Sequence, residues 1–263
     1  MKHFLLSLSV FLAINATAQD WAKAHIESSP RHHEWVKLKH GDREVNCYIT
    51  YPEVKDKAPA VIVIHEIFGL SDWARSVTDE LAEAGYIAIE PDLLSGMAPG
   101  GGGTAELGGS DAVTKAISKL PADQITADLN AVADYAAQLP SCNGKLAVAG
   151  FCWGGGQSFR YAANNQKVKA AFVFYGTPPS AEDMAKINCP VYGFYAGNDA
   201  RVTATVPKTV DAMKEAKKVY EPVTYDGAGH GFMRAGEAPD ASAPNKKARD
   251  DAWARLKELL KKF

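Results

Sequence analysis

The chain has 263 residues, 46% of them apolar and 23% charged, with a formal net charge of −2. That near-neutral balance gives no electrostatic case for nucleic acid or an anionic membrane as a partner. The length suits one substantial globular domain, and no shift in composition marks a second.

The first residues read as a segment outside that domain. Lys2 and His3 precede an apolar run from Phe4 to Ile14, and Ala16-Thr17-Ala18 supplies small residues at a cleavage position. This is the pattern of a secretory signal peptide over residues 1–18, and the run is too short to span a bilayer comfortably. The expectation is a secreted or periplasmic protein whose domain covers 19–263, with no membrane insertion after cleavage. Losing 1–18 removes one lysine and no acid, which leaves a formal −3. All four cysteines, Cys47, Cys142, Cys152 and Cys189, lie beyond the cut, in an oxidising compartment. If Cys152 must stay free, one bridge at most remains. Cys142 and Cys189, each just before a predicted strand, are the candidate pair.

Along the chain, two short alternating runs at 35–38 and 45–49 flank the turn His40-Gly41-Asp42 and predict a hairpin. Residues 60–64 are continuously apolar, the mark of a strand buried on both faces. A helix is predicted at 73–84, a strand at 86–89, then a loop at 95–110 with four consecutive glycines, Gly100 to Gly103. That loop reads equally well as a lid or as a plain connection. Helical patterns cover 111–119 and 123–138. The apolar run 146–149 then leads into Gly150-Phe151-Cys152-Trp153-Gly154-Gly155-Gly156 and a helix at 155–163. Strands at 168–175 and 191–195, a helix at 205–218 and a strand at 222–225 follow. The last helix puts Trp253, Leu256, Leu260 and Phe263 on one apolar stripe. Strands alternating with helices predict an α/β fold, a mostly parallel sheet of about eight strands with helices on both faces.

The glycine-rich corner carries the chemistry. It has the layout of a nucleophile elbow, G-x-S-x-G, with Cys152 in the serine position. The bland readings are a small buried cysteine or a phosphate-binding turn. What weighs against them is company. Asp199 follows the strand at 191–195 and His230 follows the last strand, so nucleophile, acid and histidine occur in the order of an α/β-hydrolase triad. His230 would take the thiol proton, and Asp199 would fix the imidazole tautomer. Asp226, nearer in sequence, is the rival acid, and Asp199 is favoured because it ends an adjacent strand. Backbone N–H groups of Ile67 and Trp153 are the expected oxyanion donors. The other histidines, at 3, 25, 32, 33, 40 and 65, show no ligand spacing, so no metal and no cofactor are expected.

Over residues 55–260 the chain resembles the dienelactone hydrolase (carboxymethylenebutenolidase) family of the α/β-hydrolase superfamily. The resemblance rests on His65-Glu66-Ile67-Phe68-Gly69, Pro91-Asp92-Leu93, the elbow around Cys152, Gly197-Asn198-Asp199 and Gly229-His230-Gly231-Phe232. It implies a Cys152–Asp199–His230 triad, with Glu66 reaching the resting thiol and promoting thiolate formation when substrate binds. It also implies a lactone carboxylate held by two arginines. Arg234 matches one of these, but no arginine lies between Arg75 and Arg160 to supply the other. The reading is therefore an exported thiol hydrolase of small ester or lactone substrates, a monomer or small homo-oligomer. A broader carboxylesterase or thioesterase with an apolar pocket near Phe68, Trp153 and Phe232 is the second reading. A degenerate hydrolase fold that only binds a ligand is the third.

Overall fold

Successive side chains of a strand point to opposite faces, so the continuous apolar runs require cover on both sides. The computed structural model describes residues 19–262, and the leader expected over 1–18 lies outside them. Among the described residues eight strands form one sheet. They are β1 (His33–His40), β2 (Arg43–Thr50), β3 (Ala58–Ile64), β4 (Ile87–Pro91), β5 (Cys142–Phe151), β6 (Val168–Phe174), β7 (Val191–Asn198) and β8 (Tyr220–Gly229). Their spatial order is β1-β2-β4-β3-β5-β6-β7-β8. The hairpin β1–β2 and the β2–β4 pair are antiparallel, and every other pairing is parallel.

The helices are α1 (Asp20–Ser28), α2 (Asp72–Glu83), α3 (Ser110–Ile117), α4 (Ala122–Gln138), α5 (Trp153–Asn164) and α6 (Ala181–Lys186), then α7 (Ala200–Thr203), α8 (Val206–Glu215), α9 (Phe232–Ala235) and α10 (Ala243–Leu260). The two layers follow from strand parity. Ile62 and Ile64 of β3 join Leu129 of α4 and Phe159 of α5 in one core. Val61 and Val63 join Trp73 of α2 and Leu256 of α10 in the other. On that second face Phe151, Phe174 and Phe194 are paired across β5, β6 and β7. Their rings stack at 4.6 and 4.2 Å, a stiff aromatic row under the carboxyl ends of the strands.

Several boundaries move. The predicted helix at 205–218 is α8, which runs only from Val206 to Glu215 and opens with Pro207 in its first turn, where a missing N–H leaves nothing unsatisfied; the one-turn α7 before it was not predicted. Segment 95–110 contains two single-turn 3₁₀ helices, Pro99–Gly101 and Thr104–Leu107. It is tied down by Asp92, which accepts from the Thr104 N–H at 2.7 Å and hydroxyl at 2.8 Å. On the C-terminal stripe Trp253, Leu256 and Leu260 are buried, and Phe263 lies outside the described residues. The Cys142–Cys189 bridge is not formed. All four thiols are free, and that of Cys142 accepts the Gly144 N–H instead.

Helix α1 was not foreseen. Its buried side is only Ala22 and Ile26, one turn apart, too short a stripe to declare itself. The chain after it is fastened by Asp79 of α2, whose side chain is wholly buried. Asp79 accepts from Ser29 at 2.6 Å and from Arg31 Nε at 2.8 Å, and it meets His25 and His33 at 2.9 and 2.8 Å. Burial alone would push this carboxyl up. The bonds from Arg31, Ser29 and His33 outweigh it and hold the group well below the ordinary carboxylate range.

Candidate active site

Four strand ends of the parallel region meet at one rim, and the corner between β5 and α5 shapes it. Cys152 sits there with φ 56° and ψ −116°, a conformation an L-residue holds only under tight constraint. The constraint is backbone packed on backbone. A Cβ on Gly150 would lie 2.0 Å from the Gly154 carbonyl oxygen, and one on Gly154 would lie 2.2 Å from that of Ile64. Only glycine permits such an approach. The Cys152 N–H donates to the Phe174 carbonyl at 3.0 Å, which fastens the corner to β6.

The corner leaves the Cys152 side chain half-buried and aimed at His230, whose Nε2 lies 3.1 Å from the sulfur. The other ring nitrogen, Nδ1, lies 2.5 Å from Oδ2 of Asp199, a residue that is only 7% exposed. His230 comes from the end of β8 and Asp199 from the end of β7, adjacent strands. Asp226 is exposed and makes no bond to this histidine. Burial pushes the Cys152 thiol up, and the Glu66 charge pushes the same way. The backbone N–H groups of Trp153 and Ile67, then the Arg201 guanidinium, partly offset them. Those two amides therefore lie within hydrogen-bonding reach of the sulfur.

Glu66, at the end of β3, is 3% exposed. Its Oε2 accepts from Arg234 Nε at 2.8 Å and its Oε1 accepts from the Tyr175 hydroxyl at 3.4 Å. No hydrogen bond joins it to the Cys152 thiol, which differs from what the family resemblance implies for the resting state. Burial raises the Glu66 carboxyl above its ordinary value, with Arg234 opposing. Burial also holds the Tyr175 phenol well above its own, so it remains a donor. The guanidinium of Arg234 lies 5.0 Å from the Phe68 ring centroid. Arg234 is thus occupied by a carboxylate and an aromatic face of the protein itself. His65 is fully buried, donates from Nδ1 to the Glu66 carbonyl at 2.9 Å, and stacks on Trp153 at 5.6 Å.

A cleft of about 420 Å³ opens over Cys152. Ile67 and Trp153 line it, but Phe68 and Phe232 do not. Phe68 borders a separate groove with Trp35 and Leu70. Phe232 is fully buried, with its ring 5.2 Å from those of both Tyr175 and Tyr225. The turn into α9 folds it inward. Instead the wall carries Gln157 and Arg160 of α5, Thr177 after β6, and Arg201 of α7. Sequence reasoning passed over these. Arg201 and Tyr175 stood within two residues of a strand end or of Asp199, which was the available signal. Among the described residues no group of three or more His, Cys, Asp or Glu side chains is arranged to hold a metal ion, and no helix is long and apolar enough to cross a membrane.

This geometry has known relatives. The dienelactone hydrolase family pattern matches residues 45–263. A Yersinia pestis protein named "Putative carboxymethylenebutenolidase" is 34% identical over 227 residues, covering 81% of this chain and 82% of its own. A protein of the same name from Methylorubrum extorquens is 30% identical over 241 residues, covering 87% and 80%. A crystal structure titled "Putative Dienelactone Hydrolase" from Klebsiella pneumoniae superposes with a TM-score of 0.77 at 28% identity, covering 89% of this chain and 99% of that one. Sheet order, strand-end site and sequence agree: the chain belongs to the dienelactone hydrolase family, hydrolases of ester and lactone substrates with an α/β-hydrolase fold.

Proposed function

We propose that Cys152 is the nucleophile of this hydrolase, with His230 as its base and Asp199 as the residue that orients the base. One observation carries the reading: an unbroken line from Asp199 through both ring nitrogens of His230 to the sulfur, at 2.5 and 3.1 Å. In this reading His230 takes the thiol proton as sulfur bonds to the substrate carbonyl carbon. The carbonyl electron pair moves onto oxygen, which the Ile67 and Trp153 amides receive. The tetrahedral adduct then expels the alkoxide, protonated by His230, and leaves a thioester. Water, giving its proton to His230, attacks that thioester. The C–S bond breaks, the sulfur regains a proton, and the acid departs. Thiol, imidazole and water balance every step, so the reaction calls for no cofactor. Burial and the Glu66 charge, which disfavour the thiolate, keep the resting sulfur protonated and protected.

Hydrolysis of a dienelactone, followed by loss of ultraviolet absorbance, tests the assignment. Cys152→Ala is expected to lower kcat/KM by at least about 10³-fold, and a variant that hydrolyses normally overturns it. The apolar acyl-pocket alternative loses support because neither Phe68 nor Phe232 lines the cleft. A mere binding fold gives no reason to hold Cys152 in a strained conformation against a histidine. The leader pattern of 1–18 supports export. N-terminal sequencing of protein recovered outside the cytosol should begin at Gln19, and an intact Met1 in cytosolic protein would overturn that.

A further inference from the structure

The proposed mechanism uses Glu66 and Ile67 at the end of β3 and gives no task to His65, although its side chain is fully buried against the same loop. A carbonyl oxygen can only accept, so the 2.9 Å contact of His65 Nδ1 with the Glu66 carbonyl puts the imidazole proton on Nδ1. Burial holds the ring's pKa below its ordinary value, with the Asp92 charge opposing. The ring is therefore neutral, and its Nε2, which has no hydrogen-bond partner among the described residues, carries no proton.

The Glu66 carbonyl is one end of a rigid unit. Its C=O and the Ile67 N–H belong to one planar peptide, so whatever holds the oxygen aims the N–H. The Gly69 N–H also donates to this oxygen, at 3.1 Å, but that bond closes a turn within the loop and moves with it. The imidazole supplies a reference outside the loop. Its ring lies on the Trp153 indole, with centroids 5.6 Å apart and planes 17° from parallel. Trp153 opens α5 and carries the other amide of the pair. A bond donated to the carbonyl also polarises the peptide, which makes the Ile67 N–H a stronger donor.

We propose that His65 is the positioning residue of the oxyanion site, its Nδ1–H fixing the Glu66–Ile67 peptide so that the Ile67 N–H is held in register with that of Trp153. The proposal rests on the reading of Cys152 as nucleophile with those two amides as oxyanion donors. It adds a residue that touches neither substrate nor sulfur and acts through one peptide plane.

The test compares a reaction that builds an oxyanion with one that does not. Dienelactone hydrolysis places charge on a carbonyl oxygen. Alkylation of Cys152 by iodoacetamide forms a C–S bond at a saturated carbon and expels iodide, with no charge on the carbonyl. His65→Phe keeps a ring against Trp153 and removes the donor, and the Glu66 carbonyl retains the Gly69 N–H, so no buried acceptor is orphaned. With both rates read on their pH plateaus, His65→Phe is expected to lower kcat by roughly tenfold or more at little-changed KM, the mark of an interaction made only in the transition state. Its alkylation rate should stay close to that of the parent. His65→Asn, whose amide offers an N–H near the place of Nδ1–H, should recover most of the lost kcat.

An unchanged kcat in His65→Phe overturns the proposal. So does an equal fall in hydrolysis and alkylation, the signature of a damaged fold, and so does a His65→Asn variant no better than His65→Phe. Cys152→Ala, run beside them, separates this proposal from the reading beneath it. If that variant hydrolyses normally, nucleophile and positioning residue both fail; if it is inactive while His65→Phe is normal, only the role of His65 fails.

Discussion

The Glu66 carboxylate and the Arg234 guanidinium are bound to each other at 2.8 Å, so the acid whose charge acts on the cysteine is held by an ion-pair partner rather than by the thiol. Burial raises the Cys152 thiol and the Glu66 charge raises it further. Glu66→Gln removes that charge and leaves the positive Arg234 uncompensated, and both changes favour the thiolate. The pH midpoint of Cys152 alkylation by iodoacetamide is therefore expected to fall in Glu66→Gln. A midpoint that rises or stays put would refute this electrostatic account.

Glu90 lies in β4, fully buried, and neither carboxyl oxygen has a hydrogen-bond partner among the described residues. Burial, then the nearby Asp92 charge, raises its carboxyl well above the ordinary 4.5. The native protein therefore keeps a proton that the unfolded chain releases, and stability falls as pH rises from about 4.5 toward the native value. Glu90→Gln mimics the protonated acid. Its Tm should match the parent near pH 4 and exceed it at pH 8; parallel Tm curves for the two proteins would rule this out.

Asp79 binds together the segment that follows α1. With its side chain wholly buried and Arg31 only 12% exposed, removing the acid leaves a guanidinium and a serine hydroxyl without their acceptor. Asp79→Ala is expected to cost roughly 3–5 kcal/mol, as for one member of a buried pair. Amide exchange over residues 20–33 should rise before that of the sheet. If exchange in this segment is unaltered, the fastening is not what holds it.

The sheet and the strand-end residues could be read from the sequence because each depends on local pattern. Val61 and Val63 against Ile62 and Ile64 need only parity, and Cys152, Asp199 and His230 need only their position after an apolar run. What escaped depends on distant partners. Asp79 meets residues some fifty positions away, and nothing near it in sequence announces four donors. Phe232 follows His230 so closely that it looked like a cleft residue, but the direction of its ring is set by packing against Tyr175 and Tyr225. Arg201 was invisible as a cleft residue for the same reason, since a one-turn helix gives no periodicity from which to judge which way a side chain points.

The corner built from Gly150, Gly154 and Gly176 is a mould of main-chain atoms, with an added Cβ at Gly176 falling 2.2 Å from the Gly155 carbonyl carbon. Main chain alone defines the aim of the side chain at position 152, and the identity of the attacking atom does not enter. Aim and reactivity are thereby separable in this scaffold. A hydroxyl at 152 would occupy the seat now held by the thiol, directed at the same imidazole and the same pair of amides. Trading sulfur for oxygen here alters acidity, leaving-group character and susceptibility to oxidants, and leaves the machinery that points them undisturbed.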